Sequence, residues 1–227
     1  MSSTASTIVA LAQASDLPQQ IAGVLSEGRQ GGAGRSRMSP EMSYGRHAGP
    51  APHTARRAAV MLLLFRRAGR WHLPLTERPA TLARHAGQIS LPGGSANPGE
   101  TTSQTALREL REELGVSDAV DFVGQLAECY VFATDFRVTP WVAAADFVPC
   151  WKPLNSEVQR VVELPLETLF DERSIGRTTI ERGPLLLQAP CLRVDGACIW
   201  GATSVILAEL ADLLKACLTQ RREKRIS

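Results

Sequence analysis

The chain has 227 residues, 44% of them hydrophobic and 21% charged, with a formal net charge of +2. That length suits one domain with extensions and is enough to bury a sizeable core. The near-neutral balance gives no pull toward nucleic acid, and the longest strongly apolar run, AAVMLLLF at residues 58–65, is far short of the roughly 18–20 residues that span a bilayer. Neither nucleic acid nor a membrane is therefore an expected partner.

Near the N-terminus, IVALAQA resembles the apolar core of a signal peptide, but no Lys or Arg precedes Arg29, so the basic start of such a leader is missing. The cysteines, Cys129, Cys150, Cys191, Cys198 and Cys217, are odd in number and form no C-x-x-C pair. A disulfide framework and a structural zinc site are both disfavoured. Reduced thiols, mostly packed in apolar stretches, fit a cytoplasmic location.

In chain order, residues 16–25 have the pattern of a short amphipathic helix, and residues 27–54 read as a linker rich in Gly, Ser, Arg and Pro. The run 58–65, the turn RRAGR with Gly69, and WHLPLTER predict a β-hairpin. A Gly- and Pro-rich loop covers residues 87–99. Thr101 and Gln104 have capping-box spacing at the start of a helix that Gly115 is placed to end. Strand-like runs follow at 120–126, 128–132, 138–147 and 158–164. Residues 204–218 repeat Ile206, Leu207, Leu210, Leu213, Leu214, Cys217 and Leu218 at helical spacing. A solvated basic tail, RREKR, follows. The expected class is a mixed α/β domain at residues 56–218. An N-terminal extension at 1–55, a short helix plus flexible linker, precedes it, and a basic C-terminal tail at 219–227 ends the chain.

The helix after Thr101 carries the chemistry. At about 100° per residue, Ala106, Leu107, Leu110 and Leu114 share an arc that can face a core, while Glu109, Glu112 and Glu113 share another. Like charges one turn apart are destabilising, although Arg108 can pair with Glu112 four residues on. Clustered carboxylates suit a hard divalent cation, which uses few carboxylates and leaves positions for water and substrate phosphates. Such a site points to hydrolysis of a phosphoanhydride.

Gly94, five residues, Glu100, seven residues, then Arg108-Glu109-Leu110-Arg111-Glu112-Glu113-Leu114-Gly115-Val116 resembles the Nudix box G-x5-E-x7-R-E-U-x-E-E-x-G-U, where U is aliphatic, at every fixed position. The resemblance implies a Nudix-like α/β/α sandwich with a mixed β-sheet and cleavage of a nucleoside diphosphate linked to another group. It assigns Glu109 and Glu113 as the main ligands of Mg²⁺ or Mn²⁺, with Glu112 completing the cluster as a further ligand and catalytic residue. Arg108 would orient the glutamates, Glu100 would support the loop, and Gly93 and Gly94 would let the backbone approach metal or substrate.

Just upstream, LTERPATLARHAGQISLPGG at 75–94 resembles the coenzyme A diphosphatase branch, roughly L-L-T-x-R-[SA]-x3-R-x3-G-x3-F-P-G-G. Leu75, Thr76, Arg78, Gly87, Pro92, Gly93 and Gly94 agree, and His85 and Gln88 fit the commoner L-R-x-H-x-G-Q form. Pro79, Ala83 and Leu91 depart. Ala83 stands where the branch has a second arginine, and Arg84 is the substitute at hand. VTPWVAA, SEVQRVVELPL and IWGATSVILAEL extend the likeness.

The implied substrate is coenzyme A or an acyl-coenzyme A, held by Arg78, Arg84 and His85, with Glu157 of SEV as a distal acid that assists metal or water. Glu157 also reads simply as a surface glutamate before a strand, and His85 as a packed loop residue. His47, His53 and His72 carry no motif, and core packing is the default for Trp141, Trp151 and Trp200. ADP-ribose, NADH or another nucleoside diphosphate derivative is the rival substrate class, and a nucleotide-sensing module without catalysis is the rival function. A homodimer is one assembly the sequence leaves open.

Overall fold

A computed structural model describes residues 8, 10–28, 37–39, 51–81, 87–182 and 185–223. Most of the expected linker, at 29–36 and 40–50, lies outside these residues. Strands β1 (Arg56–Arg67) and β2 (Arg70–Glu77) form the expected hairpin. Ala68 and Gly69 turn it with positive φ at both positions, 50° and 77°, the backbone that matches the twist of two antiparallel strands.

Two very short strands, β3 (Ile89–Ser90) and β4 (Gly93–Ser95), lie in the stretch expected to be loop. The first pairs with β2 and the second with the opening residues of β1. Strands β5 (Asp121–Gln125), β6 (Cys129–Val131) and β7 (Phe136–Ala144) follow, then β8 (Arg160–Pro165). β7 runs parallel to β1 from Arg56↔Phe136 to Leu64↔Ala144, β5 and β6 pair with β7, and β8 pairs with β2. The sheet is mixed. A separate antiparallel sheet of β9 (Ile175–Arg182), β10 (Leu185–Val194) and β11 (Ala197–Trp200) is absent from the pattern-based expectation.

Helices α1 (Leu17–Ser26), α2 (Thr102–Leu114) and α3 (Ala202–Glu223) supply the outer layers. Because alternate strand residues point to opposite faces, β1 serves two cores. Ala59, Met61, Leu63 and Phe65 pack with Ala106, Leu110 and Leu114 of α2. Ala58, Leu62 and Leu64 join the cluster that contains Leu17, Ile21 and Val24 of α1 and Ile206, Leu210 and Leu214 of α3. This is the expected α/β/α sandwich.

The helix of the N-terminal extension is thus built into the main core, with Leu17, Ile21 and Val24 fully buried. The Trp71 Nε1–H donates to the Ala14 carbonyl just ahead of it at 2.6 Å. The start of the basic tail is helical, since α3 continues to Glu223. Among the described residues no helix is long and apolar enough to cross a membrane. Trp141 and Trp151 are only partly buried. Their ring N–H groups donate to Thr102 Oγ1 and Glu163 Oε1. The cysteines are unbridged, and Cys150 is exposed rather than packed.

Candidate active site

α2 is fixed at both ends. Thr101 Oγ1 accepts from the Gln104 N–H while the Gln104 carboxamide accepts from the Thr101 N–H, at 3.2 and 2.9 Å. At the other end Gly115 takes a left-handed φ of 69°, where a side chain would cost energy. The Lys152 and Leu154 N–H groups then donate to the Leu114 and Glu113 carbonyls at 2.9 and 3.0 Å. The segment after β7 therefore caps carbonyls that would otherwise lack partners.

The buried stripe of α2 is Thr105, Ala106, Leu110, Glu113 and Leu114. It is rotated from the expected arc: Leu107 is only partly buried, and Glu113 belongs to the buried face, with 6% exposure. Its carboxylate accepts the Gly93 N–H at 3.3 Å. Glu109 lies against Gly94, where an added Cβ would sit 2.3 Å from Glu109 Oε1. Gly94 makes room for the Glu109 carboxylate and Gly93 for the backbone of β1, roles additional to the one expected of them.

Arg108 is the hub. Its guanidinium donates to both oxygens of Glu100 at 2.9 and 3.1 Å, to Glu109 at 2.7 Å, to Glu112 at 2.9 Å and to the Ser95 carbonyl at 3.0 Å. Glu100 also accepts from the Asn97 N–H and the Thr105 hydroxyl. That set draws its pKa down to about 2, chiefly through Arg108 and then Asn97. Glu100 thus holds Arg108, and Arg108 holds the acids. Thr105, fully buried, is a member of this network that the helical pattern did not single out, because a threonine on an apolar face reads as filler.

Burial pushes the Glu113 carboxyl up to about 8, reinforced by Glu109 and Glu157 and opposed by the Gly93 N–H and Arg78. Glu109 is raised as well, first by burial, with Arg108 opposing and Glu112 and Glu157 adding to it. Glu157 and Arg78, far apart in sequence, both act on these acids. Glu112 stands apart, with 55% of its side chain exposed and its carboxylate on Arg108. Arg84 and His85 lie outside the described residues.

A hard divalent cation fits this donor set chemically. Glu109 and Glu113 carry oxygen donors whose pKa values are raised first by burial, and a cation would relieve the cost of holding their charge there. Among the described residues no three acidic, histidine or cysteine side chains are already gathered at ligating geometry. Arg108 draws Glu112 and one oxygen of Glu109 to itself.

A cavity of about 810 Å³ lies elsewhere, between α1 and the far ends of β1 and β7, lined by Arg66, Trp71, Phe122 and Phe147 among others. Arg66 is six residues along β1 from Val60, the partner of Gly93, or roughly 20 Å. It shares no residue with the acid cluster.

Comparison with known proteins gives a consistent family. The NUDIX domain family model matches residues 55–173. Nudix hydrolase 3 of Caenorhabditis elegans is 34% identical over 128 residues, covering 55% of this chain and 53% of that protein. The chain spans about half the length of that relative. "Uncharacterized Nudix hydrolase NudL" of Yersinia enterocolitica is 33% identical over 142 residues, covering 62% of this chain and 72% of that one. Among solved structures, a MutT/nudix family protein from Enterococcus faecalis aligns with a TM-score of 0.49 at 16% identity, over 80% of this chain and 72% of that one.

Proposed function

Because the chain belongs to the Nudix hydrolase family, we propose that it hydrolyses the diphosphate of coenzyme A or an acyl-coenzyme A, releasing 3′,5′-ADP and a 4′-phosphopantetheine product. The observation that carries the reaction class is the pair of partly buried Glu109 and buried Glu113 against Gly93 and Gly94, the first held by Arg108 and the second by the Gly93 N–H. The segment at 75–94 carries the substrate.

When bound, Mg²⁺ or Mn²⁺ at Glu109, Glu113 and Glu112 supplies an acidified water and neutralises charge on the diphosphate. The chain's own groups do the rest. Arg108 orients Glu109 for that role and opposes the upward push that burial gives its carboxyl. Glu112 and Glu157 are exposed, and they are the carboxylates assigned to take a proton from the attacking water as general base. As water adds to phosphorus, one P–O bond of the anhydride breaks and its electron pair leaves with the departing phosphate. Arg78, whose charge acts on Glu113, is assigned to the diphosphate, and Arg84 and His85 to the same substrate loop.

A second substrate class, ADP-ribose or NADH, is favoured by one observation: Ala83 stands where the coenzyme A branch has an arginine, and guanidinium groups bind phosphate bidentately. Product identification by mass spectrometry separates the two, using coenzyme A, acyl thioesters, NADH, ADP-ribose and dinucleoside polyphosphates with Mg²⁺ and with Mn²⁺. Coenzyme A is expected to have the highest kcat/KM and to give 3′,5′-ADP. A much higher kcat/KM for ADP-ribose or NADH overturns the substrate, and binding without turnover across the panel points to a sensing module.

A further inference from the structure

We propose that Gln159 is a positioning residue for substrate binding, tying the loop after β2 to the segment that carries Glu157. The proposal rests on the reading of that loop as the substrate loop.

The segment from 152 to 160 is laced at both ends. Lys152 and Leu154 donate to the last carbonyls of α2, and the Glu157 and Val158 N–H groups both donate to the Leu154 carbonyl at 2.8 Å. Val158 is buried, so this short turn has an anchor. The Gln159 N–H then donates to the Glu77 carbonyl at 2.7 Å, and Arg160 pairs with the Glu77 carboxylate as β8 joins β2. Glu157 thus sits between two fixed points, one on the acidic helix and one at the end of β2.

The loop at 79–87 starts from that second point. Its base is closed by backbone bonds, Arg78 N–H to the Gln88 carbonyl and Gly87 N–H to the Arg78 carbonyl, both 3.1 Å. Beyond the base, the Gln159 side-chain oxygen accepts the Ala80 N–H at 3.3 Å. One residue therefore grips β2 with its backbone and the loop with its side chain. Nothing about an exposed position at the start of a strand asks for glutamine, since β-branched residues suit strands better. An acceptor at the end of two methylenes reaches the loop where a shorter side chain does not. Through this contact Arg78 and Ala80 are registered against Glu157.

The test uses the full chain, as wild type and as Gln159→Ala and Gln159→Glu. Kinetics are measured with Mg²⁺ on coenzyme A, ADP-ribose and NADH, and the substrate with the highest wild-type kcat/KM is the probe. Amide hydrogen exchange at residues 79–87 is measured in the substrate-free protein. Losing the one hydrogen bond that ties Ala80 to Gln159 is expected to raise KM roughly three- to tenfold, with kcat changed less than about twofold. Exchange at Ala80 becomes faster. Gln159→Glu keeps an acceptor oxygen and is expected to return both readouts close to wild type. A fall in kcat at constant KM, or unchanged KM and exchange in Gln159→Ala, overturns the proposal. If the wild type turns over none of the three substrates, the functional reading fails, and unchanged exchange in Gln159→Ala still rejects the tie while faster exchange supports it.

Discussion

Replacing Glu113 by glutamine tests the electrostatics of the site while leaving its shape intact. The carboxyl is 6% exposed, and burial, with Glu109 and Glu157 beside it, raises its pKa from 4.5 to about 8. At about 1.4 kcal/mol per unit the whole shift corresponds to about 5 kcal/mol. Relaxation and water entry reduce such costs, leaving about 2 kcal/mol as the working expectation. Between pH 4.5 and 8 the folded state keeps a proton that the unfolded state has released. Stability therefore falls as pH rises through that window: the cost is absent below 4.5 and complete above about 8.

Glutamine is neutral at every pH, and its amide oxygen can still accept the Gly93 N–H. In EDTA, urea unfolding or calorimetry at pH 5 and pH 9 should show the wild type losing about 2 kcal/mol more than Glu113→Gln, or about 4–8 °C in Tm. Added Mg²⁺ should stabilise the wild type at pH 9 and leave the variant little changed, and turnover should drop by about 100-fold or more. Parallel pH profiles for the two proteins refute the buried-charge account, and near-wild-type turnover refutes the metal assignment.

Four further substitutions probe the rest of the site and fold. Gly94→Ala places a Cβ 2.3 Å from a Glu109 oxygen, whereas Gly93→Ala drives one to 2.3 Å from the Ala59 carbonyl oxygen on the backbone of β1. The first should cut activity about tenfold or more with Tm little changed, and the second should lower Tm itself, as calorimetry would show. Arg108→Lys keeps the charge but loses the fork that reaches Glu100, Glu109, Glu112 and Ser95 together. A fall in kcat of about tenfold or more and a loss of about 1–3 kcal/mol by urea unfolding are expected. Ile21→Ala removes a fully buried side chain from α1 and should cost about 2–4 kcal/mol in urea unfolding; a change below about 1 kcal/mol means that α1 is not integral to the core.

Much of this molecule is written locally. The capping box, the left-handed Gly115 and the Ala68-Gly69 turn are signals confined to a few residues, and each is found where its spacing places it. What local reading could not supply is the rotation of α2, because a glutamate has no propensity for burial and Glu113 is drawn inward by the Gly93 N–H twenty residues away. The sheet of β9, β10 and β11 was also illegible: its strands pair only with one another, so Gly176, Arg177 and Gln188 interrupt any clean alternation. β3 and β4 are two and three residues long, too short to show a period. α1 had its helical pattern in the sequence, but not its destination, which long-range contacts with α3 and β5 decide.

The double allegiance of β1 sets what kinds of change the gene for this chain can survive. Between Ala58 and Phe65 the side chains alternate between the α2 core and the core under α1 and α3, so substitutions of similar size are locally negotiable. Inserting or deleting one codon is not. Such a frame-preserving change would send every later side chain of the strand into the opposite layer at once, exchanging Leu62 and Leu64 for Met61 and Phe65, and it would break the pairing that sets Gly93 beside Val60. Length variation is therefore expected to be shut out of this eight-residue stretch and to collect in the segments that flank it.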